Sequence, residues 1–199
     1  MICPTRSNRG RKLPPEVLTP SEARRLLDAC SATSATGLRN RALIALLYRG
    51  GLRTAEALSL EPRDVDLAEG RVNVRHGKGR KARMVGIDAT ACEIVGRWLQ
   101  RKDRDGIGGP VISTLQGGKL DPGYVRRTFK RLGRAAGIAK RVHPHGLRHS
   151  FASDLLEEGV QVGVISKALG HGSIATTSTY LDHINPQAAI EAARRRTWG

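Results

Sequence analysis

Histidines, an arginine and a tyrosine lie close together near the end of the chain: His145-Gly-Leu-Arg148-His149, then Leu169-Gly-His171-Gly-Ser-Ile, then Tyr180. These types suit attack on a phosphodiester, whose non-bridging oxygens gain charge as the reaction proceeds. A guanidinium fork flanked by imidazole donors stabilises that charge. A phenol can do the attacking. His145, Arg148 and His149 are spaced i, i+3, i+4, so a helix presents all three on one face, with Tyr180 arriving from a separate, later helix.

Holding such a set in place requires a core, and the pattern of elements is mostly helical. Thr19-Pro20-Ser21-Glu22 reads as a helix start, with Thr19 as N-cap, Pro20 at the first helical position and Glu22 three residues after the cap. Leu26 and Leu27 supply its inner face. Asn40 to Tyr48 reads as an apolar core helix stopped by Gly50-Gly51. Arg71-Val-Asn-Val-Arg75 alternates, Gly77-Lys78-Gly79 turns the chain and Ala82 to Ile87 runs back, which predicts a β-hairpin. Asp88 to Arg101 is helical again, with Ile94, Val95, Trp98 and Leu99 inward. A short strand at Val111-Ile112, a basic helix from Tyr124 to Ala136, and helices near 145–157, 161–169, 174–181 and 187–196 complete the expectation. The fold class is mainly α with one small antiparallel sheet.

Charge points to a polyanionic partner. The 199 residues carry 34 Lys+Arg against 18 Asp+Glu, a formal +16, with a pI near 11.0. Such an excess opposes compaction while attracting phosphate backbones in a salt-dependent way. The longest apolar run, Ala42 to Leu47, is far short of the roughly 20 residues of a membrane helix, and the amino terminus has no secretory core. Cys3, Cys30 and Cys92 form no metal-binding or disulfide pattern. The expectation is a reduced, cytoplasmic protein with no membrane association. Residues 1–17, with Arg6, Arg9, Arg11 and Lys12, read as a basic flexible arm or linker, 18–184 as one catalytic domain and 185–199 as a C-terminal helix or tail.

These residues, taken in order, resemble the catalytic domain of the tyrosine recombinase family, which includes the phage integrases and Xer-type enzymes. The resemblance runs from about Leu18 onward. It rests on Tyr48-Arg-Gly-Gly-Leu-Arg53-Thr-Ala-Glu56-Ala-Leu58, on Gly77-Lys78-Gly79-Arg80-Lys81-Ala-Arg83, on His145 with Arg148, on Leu169-Gly-His171, and on Tyr180 in Thr176-Thr-Ser-Thr-Tyr180. The implied fold is that of DNA breaking-rejoining enzymes. The implied activity is site-specific DNA strand exchange through a 3′-phosphotyrosyl intermediate, without metal, ATP or other cofactor.

The resemblance assigns Arg53, Lys78, His145, Arg148, His171 and Tyr180 to catalysis, with Tyr180 as nucleophile. Tyrosine ionises near about pH 10, so Tyr180 needs cationic neighbours and a proton acceptor. Arg53 and Arg148 would supply the field and clamp the scissile phosphate. His171 would hydrogen-bond the same phosphate, and His145 would either donate likewise or accept the phenolic proton. Lys78 is the candidate to protonate the departing 5′-oxygen. Glu56 reads as the carboxylate that orients an arginine or histidine, and His149 as a supporting neighbour.

Double-stranded DNA is the expected partner. Arg75, Arg80, Lys81 and Arg83 around the hairpin, and Arg126, Arg127, Lys130, Arg131, Arg134, Lys140 and Arg141, are the candidate DNA-binding residues; 127, 130, 131 and 134 share one helical face. The resemblance further implies a homotetramer on synapsed DNA, from a protein monomeric in free solution, with accessory directionality proteins as further partners. The separate amino-terminal DNA-binding domain that the resemblance implies has no room ahead of Leu18, which leaves a catalytic-domain fragment and a naturally short protein as the two expectations, and Gly86 stands where many relatives have proline. Three rival readings use some of the same residues. A type IB topoisomerase shares the chemistry, a metal nuclease on His143, His145 and His149 lacks nearby carboxylates, and a non-catalytic DNA-binding regulator would leave the pocket idle.

Overall fold

The structure, a computed structural model, describes residues 16–75, 82–170 and 194. Lys78, Arg80, Lys81, His171, Tyr180, the arm before residue 16 and the tail from 185, with the helices expected at 174–181 and 187–196, lie outside the described residues, Arg194 excepted. Seven α-helices and a three-stranded antiparallel sheet are described: α1 Pro20–Asp28, α2 Ala35–Tyr48, α3 Thr54–Leu58, β1 Val65–Asp66, β2 Arg71–Val74, β3 Arg83–Gly86, α4 Ala89–Arg104, α5 Pro122–Ala135, α6 Pro144–Glu157 and α7 Val162–Leu169. A 3-10 turn at Pro62–Asp64 leads into β1.

Helix α2 is the centre of the domain. Every residue from Ala42 to Tyr48 is buried, as expected of a helix that is apolar all round, and α2 packs against both α4 and α6. Trp98 of α4 is fully buried, and its indole N–H donates to the Val111 carbonyl at 2.7 Å. Helix α1 begins with the expected capping box: Thr19 Oγ1 accepts from Glu22 N at 3.2 Å, and Glu22 Oε2 accepts from Thr19 N at 2.8 Å. The sheet is ordered β1-β2-β3, with Val72 opposite Val85 and Val74 opposite Arg83.

Three sequence expectations are corrected. Helix α2 starts at Ala35 rather than Asn40, because the Ser34 hydroxyl caps it by accepting from Gly37 N at 3.1 Å. Strand β1 extends the predicted hairpin to three strands. Val111 and Ile112 are fully buried but not a strand. The Val111 N–H goes to Leu60 O at 2.7 Å and its carbonyl to Trp98, so neither is available to a ladder. Only an isolated bridge, Ser113 to Lys119, follows.

The first described residues are fastened to the site helix and its approach. Leu18 N donates to Ser150 Oγ of α6 at 2.7 Å, Arg141 N donates to Glu16 Oε2 at 2.5 Å, and Lys140 Nζ donates to Val17 O at 3.0 Å.

Candidate active site

Arg53, Glu56, His145, Arg148 and His149 meet where α3, α6 and the C-terminal end of α7 converge. Arg53 is the N-cap of α3, and Glu56, three residues later, reaches back to Arg53 N at 2.8 Å. The second Glu56 oxygen accepts from Arg53 Nη1 at 2.7 Å. A glutamate placed to cap a helix start thereby also orients the guanidinium. Glu56 is 3% exposed. Burial pushes its acidity towards higher pKa, but bonds from Arg83 and Arg53 outweigh it and hold the carboxyl at about 2.

Helix α6 starts at Pro144, and its N-cap, His143, accepts from Gly146 N through Nδ1 at 3.1 Å. That register places His145, Arg148 and His149 on one side, as the spacing predicts. The His145 and His149 rings meet edge to face with centroids 4.3 Å apart. Arg148 is 2% exposed. Its Nη1 donates to Gly51 O at 2.5 Å and its Nη2 to Leu169 O at 2.5 Å. Burial, then the Arg53 charge, lower its pKa to about 9, so it remains a cation at neutral pH.

Two glycines in left-handed conformation shape this contact. Gly51 (φ 60°) and Gly170 (φ 62°) both present carbonyls to arginines, Gly51 to Arg148 and Gly170 to Arg53 Nη2 at 3.0 Å. A side chain at Gly51 would run into the Phe151 ring, and one at Gly170 into Arg83 Cδ at 2.8 Å.

His145 reaches solvent at the mouth of the site. Burial of its enclosed part and the positive charges of Arg148 and Arg53 act in the same direction, so its pKa falls below the ordinary 6.5 and the ring is neutral at pH 7. A neutral imidazole offers one donor and one acceptor nitrogen. Among the described residues, no group of three His, Cys, Asp or Glu side chains is placed to hold a metal ion. His143, which the nuclease reading needed, is committed to capping α6.

The candidate DNA-binding residues separate into two kinds. Arg126, Arg127, Lys130, Arg131 and Arg134 all stand exposed on α5. Arg126, Arg127, Lys130, Arg134, Arg141 and His143 line a groove of ≈ 580 Å³. Arg127 approaches Asp121 at 3.9 Å, an exposed pair that constrains it little. Lys140 is turned to Glu22 Oε2 at 2.7 Å as well as to Val17, and Arg75 pairs with the buried Asp64. Arg83 corrects the expectation of a DNA-facing side chain. It is 11% exposed and turned inward, donating through Nη1 and Nη2 to the two Glu56 oxygens at 2.8 Å each and through Nε to Ala168 O at 3.0 Å. A buried carboxylate outcompetes solvent for that guanidinium.

The fold is that of tyrosine recombinase catalytic domains. It superposes on the crystal structure of XerA recombinase with a TM-score of 0.79 at 30% identity, covering 98% of this chain and 68% of that one. The XerH site-specific recombinase, solved as a post-cleavage complex with a palindromic difH substrate, gives 0.77 at 28% identity, over 95% of this chain and 55% of that one. The phage integrase family model matches residues 16–186, and the chain belongs to that family. Tyrosine recombinase XerC of Halalkalibacterium halodurans is 37% identical over 180 residues, 86% of this chain and 59% of the relative. Tyrosine recombinase XerD of Bifidobacterium longum is 35% identical over 195 residues, 92% of this chain and 63% of the relative. The chain thus spans about three fifths of the length of these relatives. No described helix is long and apolar enough to cross a membrane.

Proposed function

We propose that this chain is the catalytic domain of a site-specific DNA recombinase, acting in the cytoplasm on double-stranded DNA. The observation that carries the reading is the charge balance of the pocket. Three guanidiniums, Arg53, Arg83 and Arg148, gather around a single buried carboxylate, Glu56, beside a neutral His145; Glu56 is bonded to Arg53 and Arg83, and the hydrogen bonds of Arg148 within the described residues go to neutral carbonyls. A site with that excess is completed by an anion such as a phosphodiester.

The reaction assigned to it is transesterification. Tyr180 Oη bonds to phosphorus, the bond from phosphorus to the deoxyribose 5′-oxygen breaks, and Lys78 gives that oxygen a proton. The phenolic proton passes to a neutral imidazole, for which His145 is the described candidate, with His171 sharing the phosphate. Arg53 and Arg148 hold the non-bridging oxygens as their charge grows. The phosphotyrosyl ester retains one phosphoester bond for the one broken, so a 5′-hydroxyl can reverse the step with no metal or ATP. The exposed arginines of α5 and the groove beside them would follow the DNA backbone. Assembly on synapsed DNA as a homotetramer of protomers that are monomeric in free solution, with accessory directionality proteins, completes the proposal.

Covalent trapping tests it. The protein is incubated in EDTA with duplexes nicked near candidate sites and run on a denaturing gel. A shifted protein–DNA adduct absent from Tyr180→Phe is expected. DNA binding without an adduct on any duplex would favour the idle-pocket reading, and relaxation of supercoils at no particular site by a monomer would favour a topoisomerase.

A further inference from the structure

We propose that Arg83 is a positioning residue of this site, one that holds Glu56 and the carbonyl end of α7 so that Arg53 presents its guanidinium in working geometry. The proposal rests on the recombinase reading for its catalytic consequence and on geometry alone for the positioning.

The geometry is a fork against a fork. Glu56 accepts four bonds, two from Arg53 (backbone N 2.8 Å, Nη1 2.7 Å) and two from Arg83 (2.8 Å each). A carboxylate has about four lone-pair sites, so the two arginines fill it between them. Arg53 alone would anchor Glu56 only from within its own short helix. Arg83 fixes the carboxylate from outside, across 27 residues, and so removes the rotation that would let Arg53 swing.

The same guanidinium reaches a second element. Arg83 Nε, Arg148 Nη2 and Arg53 Nη2 donate to Ala168 O, Leu169 O and Gly170 O in turn, so three arginines hold three successive carbonyls at the C-terminus of α7. Positive charge is favourable at that end of a helix. Glycine at 170 makes room for the Arg83 stem. In sequence, His171 follows the last of these carbonyls, and Lys78 precedes Arg83 by five residues. Arg83 therefore joins strand β3 to both the phosphate clamp and the α7 terminus. With 11% of its side chain exposed and its fork facing Glu56, it is not placed to touch DNA itself.

The test compares Arg83→Ala, Arg83→Lys, Glu56→Gln and the Arg83→Ala/Glu56→Gln double variant in the full chain. Arg71→Ala, which removes an exposed arginine on β2, is the charge-matched control. In single-turnover cleavage of a nicked duplex, Arg83→Ala is expected to slow the step at saturating DNA by about 100-fold while DNA affinity changes by less than about 3-fold. Arg83→Lys, which keeps the charge but offers no fork, should fall between. The double variant should be no slower than the slower single variant, because Arg83 acts through Glu56. A defect that vanishes at saturating DNA, or effects that multiply in the double variant, would overturn the proposal. A second arm needs no activity: side-chain NMR of the DNA-free protein should show the Arg53 guanidinium restricted in wild type and freely rotating in Arg83→Ala or, if that variant does not fold, looser in Arg83→Lys. An Arg53 signal unchanged by either variant would overturn the positioning role. Absence of any wild-type adduct would sink the recombinase reading instead, leaving this arm to decide the positioning.

Discussion

The Arg148 Nη1 atom lies 2.5 Å from the carbonyl oxygen of Gly51, so α6 grips the loop two residues ahead of Arg53. The other Arg148 amino group grips Leu169 O at the same distance. A lysine has one ammonium and cannot span both carbonyls while keeping further in-plane N–H donors for a phosphate. Arg148→Lys is therefore expected to lower the rate of adduct formation by about 100- to 1,000-fold, the cost of losing a preorganised oxyanion donor. A rate within tenfold of wild type would show that point charge suffices.

Glu56 makes stability depend on acid. Its folded pKa, about 2, lies below the ordinary 4.5, so its contribution is fully present above pH 4.5 and is lost as pH falls towards 2. The shift corresponds to stabilisation on the order of 3 kcal/mol. Denaturant unfolding of Glu56→Gln across that window should show a flatter pH dependence than wild type, from a lower starting stability, since two arginines lose their shared partner. Parallel curves would place the acid sensitivity elsewhere.

His145 should titrate below pH 6.5 in the free protein, because burial and the charges of Arg148 and Arg53 oppose its charging. Histidine NMR titration reads this directly. Binding of a DNA phosphate should raise the value by supplying the missing negative charge. A free-protein pKa above 6.5 would contradict the neutral imidazole that the proposed proton transfer requires.

The exposed cations of α5 predict a salt signature. Each phosphate contact contributes a slope of about −0.9 in log affinity against log salt for duplex DNA. Lys130→Ala with Arg134→Ala is expected to weaken binding on all sequences alike and reduce the slope by about 1 to 2. An unchanged slope would return this face to ordinary solvated surface. The same pair should leave the melting temperature within a few degrees of wild type, since both side chains are exposed.

The parts of this fold that were legible in the sequence are those with local signatures. The Thr19–Glu22 capping box, the α4 face around Trp98 and the His145-Arg148-His149 spacing each depend on residues within a turn or two of one another, and the structure shows them as expected. The failures came where the deciding partner is distant. Val111-Ile112 has the composition of a strand, but its backbone is claimed by Leu60 and by the indole of Trp98. Arg83 lies in a basic stretch that reads as DNA-facing, and no neighbour in sequence shows that a carboxylate 27 residues earlier would turn it inward. The start of α2 was missed for the opposite reason. Its cap is local: the Ser34 hydroxyl accepts from Gly37 N three residues on, ahead of the apolar run that marks the helix in the sequence.

The three arginines at the end of α7 recognise carbonyl oxygens, so their bonds do not depend on the side chains at 168 and 169, of which Leu169 is held by the core instead. Substitution there is limited by packing alone, and by room for Arg83 at Gly170. Chain length is another matter. Inserting or deleting one residue within Val162–Leu169 would rotate the carbonyls by about 100°, and each guanidinium would then face the wrong oxygen. Homologous proteins with this clamp should accordingly vary in composition at the exposed positions of this helix while conserving its number of residues.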